Sequence, residues 1–261
     1  MTQSVLYTGG AGRMGTVLRE GLSGEFGRVV LYLRETVTEV FEREEVINGE
    51  LHDLDGLADA MRGVDVVVHL AGIADEASWD DILTSNIEGT YAVFEAARRA
   101  GVRRVVYAGS HHVVGFYPAS ERVGTEHPVR PDSYYGVSKV FGEGLARLYH
   151  DKWGLEVVCL RIGCFRPEPE DVRQLSAWLS HRDGVELVRR SVLAPDVGFT
   201  IVYGVSANTR GWWDNREAAA SIAYVPRDDA EAYADRFSPD DPPPTVHGGA
   251  FADEAYRGGV W

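Results

Sequence analysis

Val5-Leu6-Tyr7-Thr8-Gly9-Gly10-Ala11-Gly12-Arg13-Met14-Gly15 runs from a short apolar strand into a glycine-rich turn and on toward a helix. Gly9, Gly12 and Gly15 follow the spacing Gly-x-x-Gly-x-x-Gly. At that spacing, missing side chains let the backbone approach a pyrophosphate while the helix N-terminus faces its charge. Arg13 and Met14 lie inside the turn and join the three glycines as candidate cofactor contacts.

Outward from this turn, short apolar runs alternate with helical patterns. Strands are expected at 4–8, 28–33, 65–70, 103–108 and 155–161, with helices at 13–22, 55–62, 79–100 and 133–153 between them. The alternation implies an α/β fold, a Rossmann-type doubly wound parallel sheet whose ligands bind beyond the carboxyl ends of its strands. Gly9, Asp53, Ala71-Gly72, Ser110 and Gly163 fall at those ends. Residues 1–165 therefore read as a dinucleotide-binding core. Residues 166–261 carry two helical patterns, 171–180 and 183–193, and the apolar run Thr200-Ile201-Val202-Tyr203. They are too few for a core of their own and are expected to cover the substrate as part of the same domain.

The chain has 261 residues, 44% of them hydrophobic, enough for one substantial core. Its 40 acidic residues against 26 basic ones give a net charge of -14, which argues against a phosphate-tracking surface and so against nucleic acid. No apolar run approaches the ~18 residues that span a bilayer, and the N-terminus has no basic leader. Cys159 and Cys164 are too few for a disulfide framework or a four-cysteine metal site. A cytoplasmic protein is expected, with a small-molecule substrate and further copies of itself as partners.

Tyr135 and Lys139 carry the chemistry. Four residues apart on a helix they share one face, where an ammonium can hold a phenol nearer ionisation and let it act as a base. Lysine occurs only at Lys139 and Lys152, so its presence here is informative. The second strand ends Leu31-Tyr32-Leu33-Arg34-Glu35, without the acid that usually binds a ribose 2′-hydroxyl at its tip. Arg34 suits a 2′-phosphate, which favours NADP, whereas Glu35 keeps NAD open if the register moves. Asp53 suits two roles, a hydrogen bond to the adenine amino group or a helix N-cap. Adjacent His111 and His112 point opposite ways if extended, and no further ligand completes a metal site around them. Trp212-Trp213 reads either as a sugar platform or as packing.

Taken as a set, Gly9-x-x-Gly12-x-x-Gly15, His69-Leu70-Ala71-Gly72, Asn86-Ile87-Glu88-Gly89-Thr90, Tyr135-x-x-x-Lys139 and Leu160-Arg161-Ile162-Gly163 resemble the extended short-chain dehydrogenase/reductase superfamily. Within it, Gly115-Phe116-Tyr117-Pro118, Arg130-Pro131-Asp132-Ser133-Tyr134-Tyr135, Arg173 with Trp178-Leu179-Ser180, Ser206-Ala207-Asn208 and Gly248-Gly249-Ala250-Phe251 look like the uronate dehydrogenases and related sugar 1-dehydrogenases. The resemblance implies oxidation of a cyclic uronate, glucuronate or galacturonate, at its anomeric carbon to an aldonolactone. In that scheme Tyr135 takes the hydroxyl proton, Ser110 positions the hydroxyl, Lys139 binds the nicotinamide ribose and lowers the tyrosine pKa, and Asn86 supports the proton relay. Leu54, Leu70, Ala71 and Gly72 join the cofactor contacts, His112 lies near the substrate, and Arg173 receives the carboxylate. No metal is implied.

Three positions depart from the family's pattern. Ala74 replaces a small polar residue, His111 an asparagine and Cys164 a serine, each at a substrate-facing position. These departures keep open a neutral aldose, arabinose or galactose, or a sugar phosphate. The alternative from another class is a non-catalytic dinucleotide-sensing protein, which has no need of Ser110, Tyr135 and Lys139 together.

Overall fold

In the computed structural model, which describes residues 3–35, 37–238 and 240–259, the opening apolar run is strand β1 (Ser4–Thr8) and the glycine turn feeds helix α1 (Arg13–Gly21). Next come β2 (Arg28–Leu33), β3 (Glu44–Asn48), α2 (Leu54–Ala60), β4 (Val66–His69), α3 (Trp79–Ile82), α4 (Gly89–Ala100), β5 (Arg104–Ser110), α5 (Tyr134–Trp153) and β6 (Glu156–Ile162). The remainder holds β7 (Cys164–Phe165), α6 (Gln174–Ala177), β8 (Trp178–Leu179), α7 (His181–Leu193), β9 (Phe199–Gly204) and α8 (Arg216–Ser221).

Seven strands form one sheet in the order β3-β2-β1-β4-β5-β6-β9, and every neighbouring pair is parallel. The order reverses between β1 and β4, which opens a crevice at their carboxyl ends. Register brings those ends level: Thr8 pairs with His69, His69 with Tyr107, and Ser110 with Ile162.

Successive strand residues face opposite sides of the sheet, and both sides are apolar. Val5, Tyr7, Leu31, Val68, Val106, Val158 and Val202 pack with Leu18 of α1 and Leu187, Val188 and Val192 of α7. Leu6, Val30, Val67, Val105, Tyr107 and Val157 pack with Leu57 of α2, Val93 and Phe94 of α4, and Ala146 and Tyr149 of α5. Ion pairs tie layers together where arginine is buried. Arg161 on β6 holds Glu143 of α5 through Nε at 2.8 Å and Nη2 at 2.9 Å.

The sequence expectation differs from the fold in four places. The edge strand β3 was not foreseen, because Glu44-Glu45-Val46-Ile47-Asn48 is half exposed and too polar to read as an apolar run. Its Glu44 carboxylate is nonetheless buried against Arg19, 2.7 Å away. The single helix expected at 79–100 is three pieces, with a wider π-helical turn, Leu83–Glu88, between α3 and α4. The helix expected at 171–180 shrinks to α6, since Trp178 and Leu179 extend as β8 to pair with β7. Finally, the apolar run at 200–203 lies inside β9 and extends the main sheet beside β6, so residues after 165 contribute to the sheet itself.

Candidate active site

A cavity of about 360 Å³ opens at the crevice and runs from the glycine turn to Arg173. At one end Gly9, Gly12, Arg13, Met14 and Gly15 line it. Gly9 takes φ 72°, and a Cβ there would meet the Ala71 backbone nitrogen at 2.6 Å. At Gly15 a Cβ would meet the Gly9 carbonyl at 2.5 Å, so α1 can start this close to β1 only without a side chain. Gly12 caps α1 with no side-chain hydrogen bond, which leaves the first-turn N–H groups directed at the cavity. This cradle fits the pyrophosphate of a dinucleotide.

At the opposite wall, β5 ends in Ser110 and α5 begins at Tyr134. Ser133 caps that helix by accepting from Gly136 N at 3.0 Å. Glu76, reaching over from the loop after β4, accepts from Tyr134 N at 3.2 Å and Tyr135 N at 2.9 Å. The helix start is thus held twice, and Tyr135 lines the cavity together with Ser110. One turn on, Lys139 Nζ donates to Ala108 O at 2.9 Å and lies 5.5 Å from the centre of the Tyr135 ring.

Burial dominates both titrations. It pushes the Tyr135 phenol up to about 12, against the opposing influence of the Ser110 hydroxyl, and lowers Lys139 to about 8. Desolvation of the tyrosinate sets the upward direction of the phenol's shift in the chain by itself.

Arg173 stands at the substrate end. Its Nη1 donates to His247 O at 2.9 Å and to His111 Nε2 at 3.4 Å, and its Nη2 to Cys164 Sγ at 3.2 Å. Ala74, Ser110, His111, His112 and Cys164 line the same cavity, as do Leu70 and Gly72. His111 and His112 do not point opposite ways. They fall in a 3₁₀ turn, His111–Val114, and their ring centres are 4.1 Å apart. His112 Nδ1 pairs with Asp132 Oδ2 at 2.7 Å, and no group of three metal-ligating side chains occurs among the described residues.

Several expected residues lie elsewhere. Asp53 caps α2, its carboxylate accepting from Gly56 N at 3.1 Å, and Leu54 packs half-buried against the core. Arg34 is 72% exposed and leans on Glu35 at 3.5 Å, outside the cavity wall. Ala71 supports the glycine turn from below instead of lining the cavity. The Asn86 amide is engaged away from the lysine: it accepts from Ile73 N at 2.7 Å and donates to Ile73 O at 2.9 Å and Ser138 Oγ at 3.1 Å. Trp212 and Trp213 are packing residues, Trp212 stacked on His247 and Trp213 on Tyr203.

Sequence reasoning missed Phe251 and Gln174, which line the cavity, and Asp132, which orients His112. Phe251 stacks on His112 at 3.8 Å and sits 6.0 Å from Tyr135. Its Gly-Gly-Ala-Phe context was visible, but no spacing connects it to a tyrosine more than a hundred residues upstream.

Residues 5–182 match the model of the NAD dependent epimerase/dehydratase family. The chain belongs to this family. Among individual members of the NAD dependent epimerase/dehydratase family and its relatives, it is 43% identical over 256 residues to a uronate dehydrogenase of Pseudomonas putida, covering 95% of each chain. The crystal structure of uronate dehydrogenase from Agrobacterium tumefaciens superposes with a TM-score of 0.91 at 40% identity, covering 98% of both chains. A mutant of that enzyme complexed with NAD gives 0.91 at 39% identity over 98% of this chain and 100% of that one.

Proposed function

We propose that the protein is an NAD-dependent sugar dehydrogenase that oxidises the anomeric carbon of a cyclic uronate to an aldonolactone. One observation carries this: the Ser110, Tyr135 and Lys139 side chains share a single cavity with an anchored guanidinium, Arg173. The 43% identity to a uronate dehydrogenase over nearly the full length supports it.

Bound at the glycine cradle, NAD supplies the hydride acceptor. The chain's residues handle the rest. Ser110 and Tyr135 line the cavity together and address the anomeric hydroxyl, Ser110 donating to its oxygen and Tyr135, as the tyrosinate, taking its proton and becoming the phenol. Lys139, fixed on Ala108 O, places a positive charge beside the ring, which favours the tyrosinate that accepts this proton. Asn86 acts as a positioning residue, holding the Ile73 backbone and Ser138 of α5 in one hydrogen-bond set. Phe251 shields the reacting face from water.

A carboxylate on the sugar suits Arg173. The described acceptors use three of its five N–H groups, and two remain for bidentate binding of an anion. A sugar phosphate is the second reading, favoured by Arg166, which also lines the cavity. Glu170 lies 3.3 Å from Arg166 and offsets that charge, which leaves a balance matched to one carboxylate. The cofactor read here is NAD. Glu35 beside Arg34 accepts a ribose hydroxyl and repels a 2′-phosphate, and NADP remains the outcome expected if Arg34 turns inward.

Residues 166–261 act as the substrate-covering part of this single domain, through Arg173, Gln174 and Phe251. Exposed Tyr134, Val137, Phe141 and Leu148 lie along one face of α5 and support a homo-oligomer. No described helix is long and apolar enough to cross a membrane, and both cysteines are free and buried, which supports a reducing, cytoplasmic setting.

The test is initial-rate NAD and NADP reduction with glucuronate, galacturonate and the matching neutral hexoses, for wild type and Arg173→Ala. The uronate-to-hexose efficiency ratio should fall by ~30-fold or more in the variant, as expected for an unpaired carboxylate in a closed pocket. A wild type that prefers the neutral hexose ends the uronate reading.

A further inference from the structure

His111 is the residue whose surroundings say more than its place in the cavity wall. Its side chain is 3% exposed, and its two ring nitrogens have unlike partners. Nδ1 lies 3.0 Å from Ile162 O, a pure acceptor, so Nδ1 carries the proton. Nε2 is then a lone pair, and Arg173 Nη1 donates to it. Burial, together with the His112 ring and the Arg173 charge, lowers the His111 pKa well below the usual range, consistent with a neutral ring. Trp213, 5.3 Å away between ring centres, closes its outer side.

The other Arg173 contacts come from either side of it in the chain. His247 O belongs to the segment before Phe251, and Cys164 follows β6. Gly249, at φ 59°, lets that segment touch the arginine, since a Cβ there would meet Arg173 Nε at 2.6 Å. His111 joins the guanidinium to the proton-handling centre through the chain, because its neighbour is Ser110, which lines the cavity together with Tyr135. One peptide unit therefore separates the group that addresses the sugar hydroxyl from the group that positions the anion-binding cation.

We propose that His111 is a specificity-determining positioning residue: as a neutral acceptor it holds Arg173 at a set span from Ser110 and Tyr135, and so selects sugars whose carboxylate lies that far from the oxidised carbon. This rests on the uronate reading above. It assigns the histidine no contact with the reacting atoms and no proton to move.

The consequence is a split between two kinds of loss. Replacing His111 by leucine keeps an apolar filling of similar reach and removes the lone pair. Replacing it by glutamine restores an acceptor oxygen.

The experiment measures kcat and KM for galacturonate and for galactose in wild type, His111→Leu and His111→Gln, with melting curves to establish that each variant is folded. His111→Leu should raise KM for galacturonate at least tenfold with a smaller change in kcat, and its loss in kcat/KM on galacturonate should exceed that on galactose at least tenfold. His111→Gln should recover most of the galacturonate KM. Equal losses on the two sugars, or a glutamine variant no better than leucine, overturn the proposal and leave His111 a packing residue. A wild type without uronate turnover overturns the functional reading and this one with it, whereas an active wild type whose leucine variant shows no uronate-specific loss overturns this proposal alone.

Discussion

Tyr135 and Lys139 show what burial does to a tyrosine and a lysine that share one cavity. Removing the phenol oxygen should abolish proton acceptance while the ring continues to pack against His112 and Phe251. Tyr135→Phe is therefore expected to lose ~10²–10⁴-fold in kcat, the usual worth of a positioned base, with the NAD dissociation constant within about twofold of wild type. Fluorescence titration beside steady-state rates checks both, and a variant with wild-type turnover would remove the tyrosine from the mechanism. Lys139 carries a cost that can be measured without substrate. Its pKa falls from 10.5 to about 8 on folding, so between those values the unfolded chain binds the extra proton and stability rises with pH. Below pH 8 the full penalty applies. Lys139→Met should be more stable than wild type at pH 7 by ~1–3 kcal/mol after loss of the Ala108 hydrogen bond is counted, with the advantage shrinking as pH climbs through that window. Urea unfolding at pH 7 and pH 9.5 reads the difference, and a gap that widens with pH contradicts the sign.

At the scale of elements, α5 is the piece that has to be placed. Its N-terminus is capped by Ser133 and Glu76, and its middle is anchored to β6 by the Glu143–Arg161 pair. That pair is nearly dry, with side-chain exposures of 8% for Glu143 and 2% for Arg161. Breaking it leaves a buried guanidinium without its anion, with Tyr203 OH, 3.1 Å from Nη1, as its remaining polar partner among the described residues. Glu143→Ala is expected to cost ~3–5 kcal/mol, read as a shift of the urea midpoint, and to lower kcat through the displaced helix as well. A loss under ~1 kcal/mol would mean that β5 and the cap residues hold α5 unaided. The π turn between α3 and α4 belongs to this scale too. It puts Asn86 where its amide reaches both the Ile73 backbone and Ser138, a reach that the expected unbroken helix did not foresee.

Across the whole molecule, the cavity is completed by chain from its far end. Phe251 comes from a short 3₁₀ turn, Gly249–Ala252, and covers His112 and Tyr135. Past it, Tyr256 OH donates to Asp75 Oδ1 at 2.6 Å and Gly259 N to Asp75 Oδ2 at 2.8 Å, next door to the Glu76 that caps α5. Phe251→Ala should leave the sheet intact and open the reacting face to water. We expect kcat/KM to fall ~10-fold or more while the melting temperature drops by only a few degrees, since the residue belongs to a small satellite cluster and not to either face of the sheet. A stopped-flow and calorimetry comparison separates the two effects, and unchanged kinetics would rule Phe251 out as a cover.

By itself the sequence determined the parts whose signals are local. The glycine spacing, the short continuous apolar runs of β1, β2, β4, β5 and β6, and the four-residue step from Tyr135 to Lys139 each lie within one stretch of chain, so the doubly wound sheet and the shared face of the tyrosine and lysine were legible from the chain. Only the tertiary structure decided what depends on distant neighbours. Trp212-Trp213 packed because His247 and Tyr203 supplied the stacking faces. Strand β3 pairs with β2 and carries Glu44 buried against Arg19, a partnership that no hydropathy pattern reports. The pair Arg173 and His111, sixty-two positions apart, met because β6 runs beside β5 and carries Ile162 and Cys164 to both of them. Contacts of that separation are fixed by sheet register, and register is a property of the folded whole.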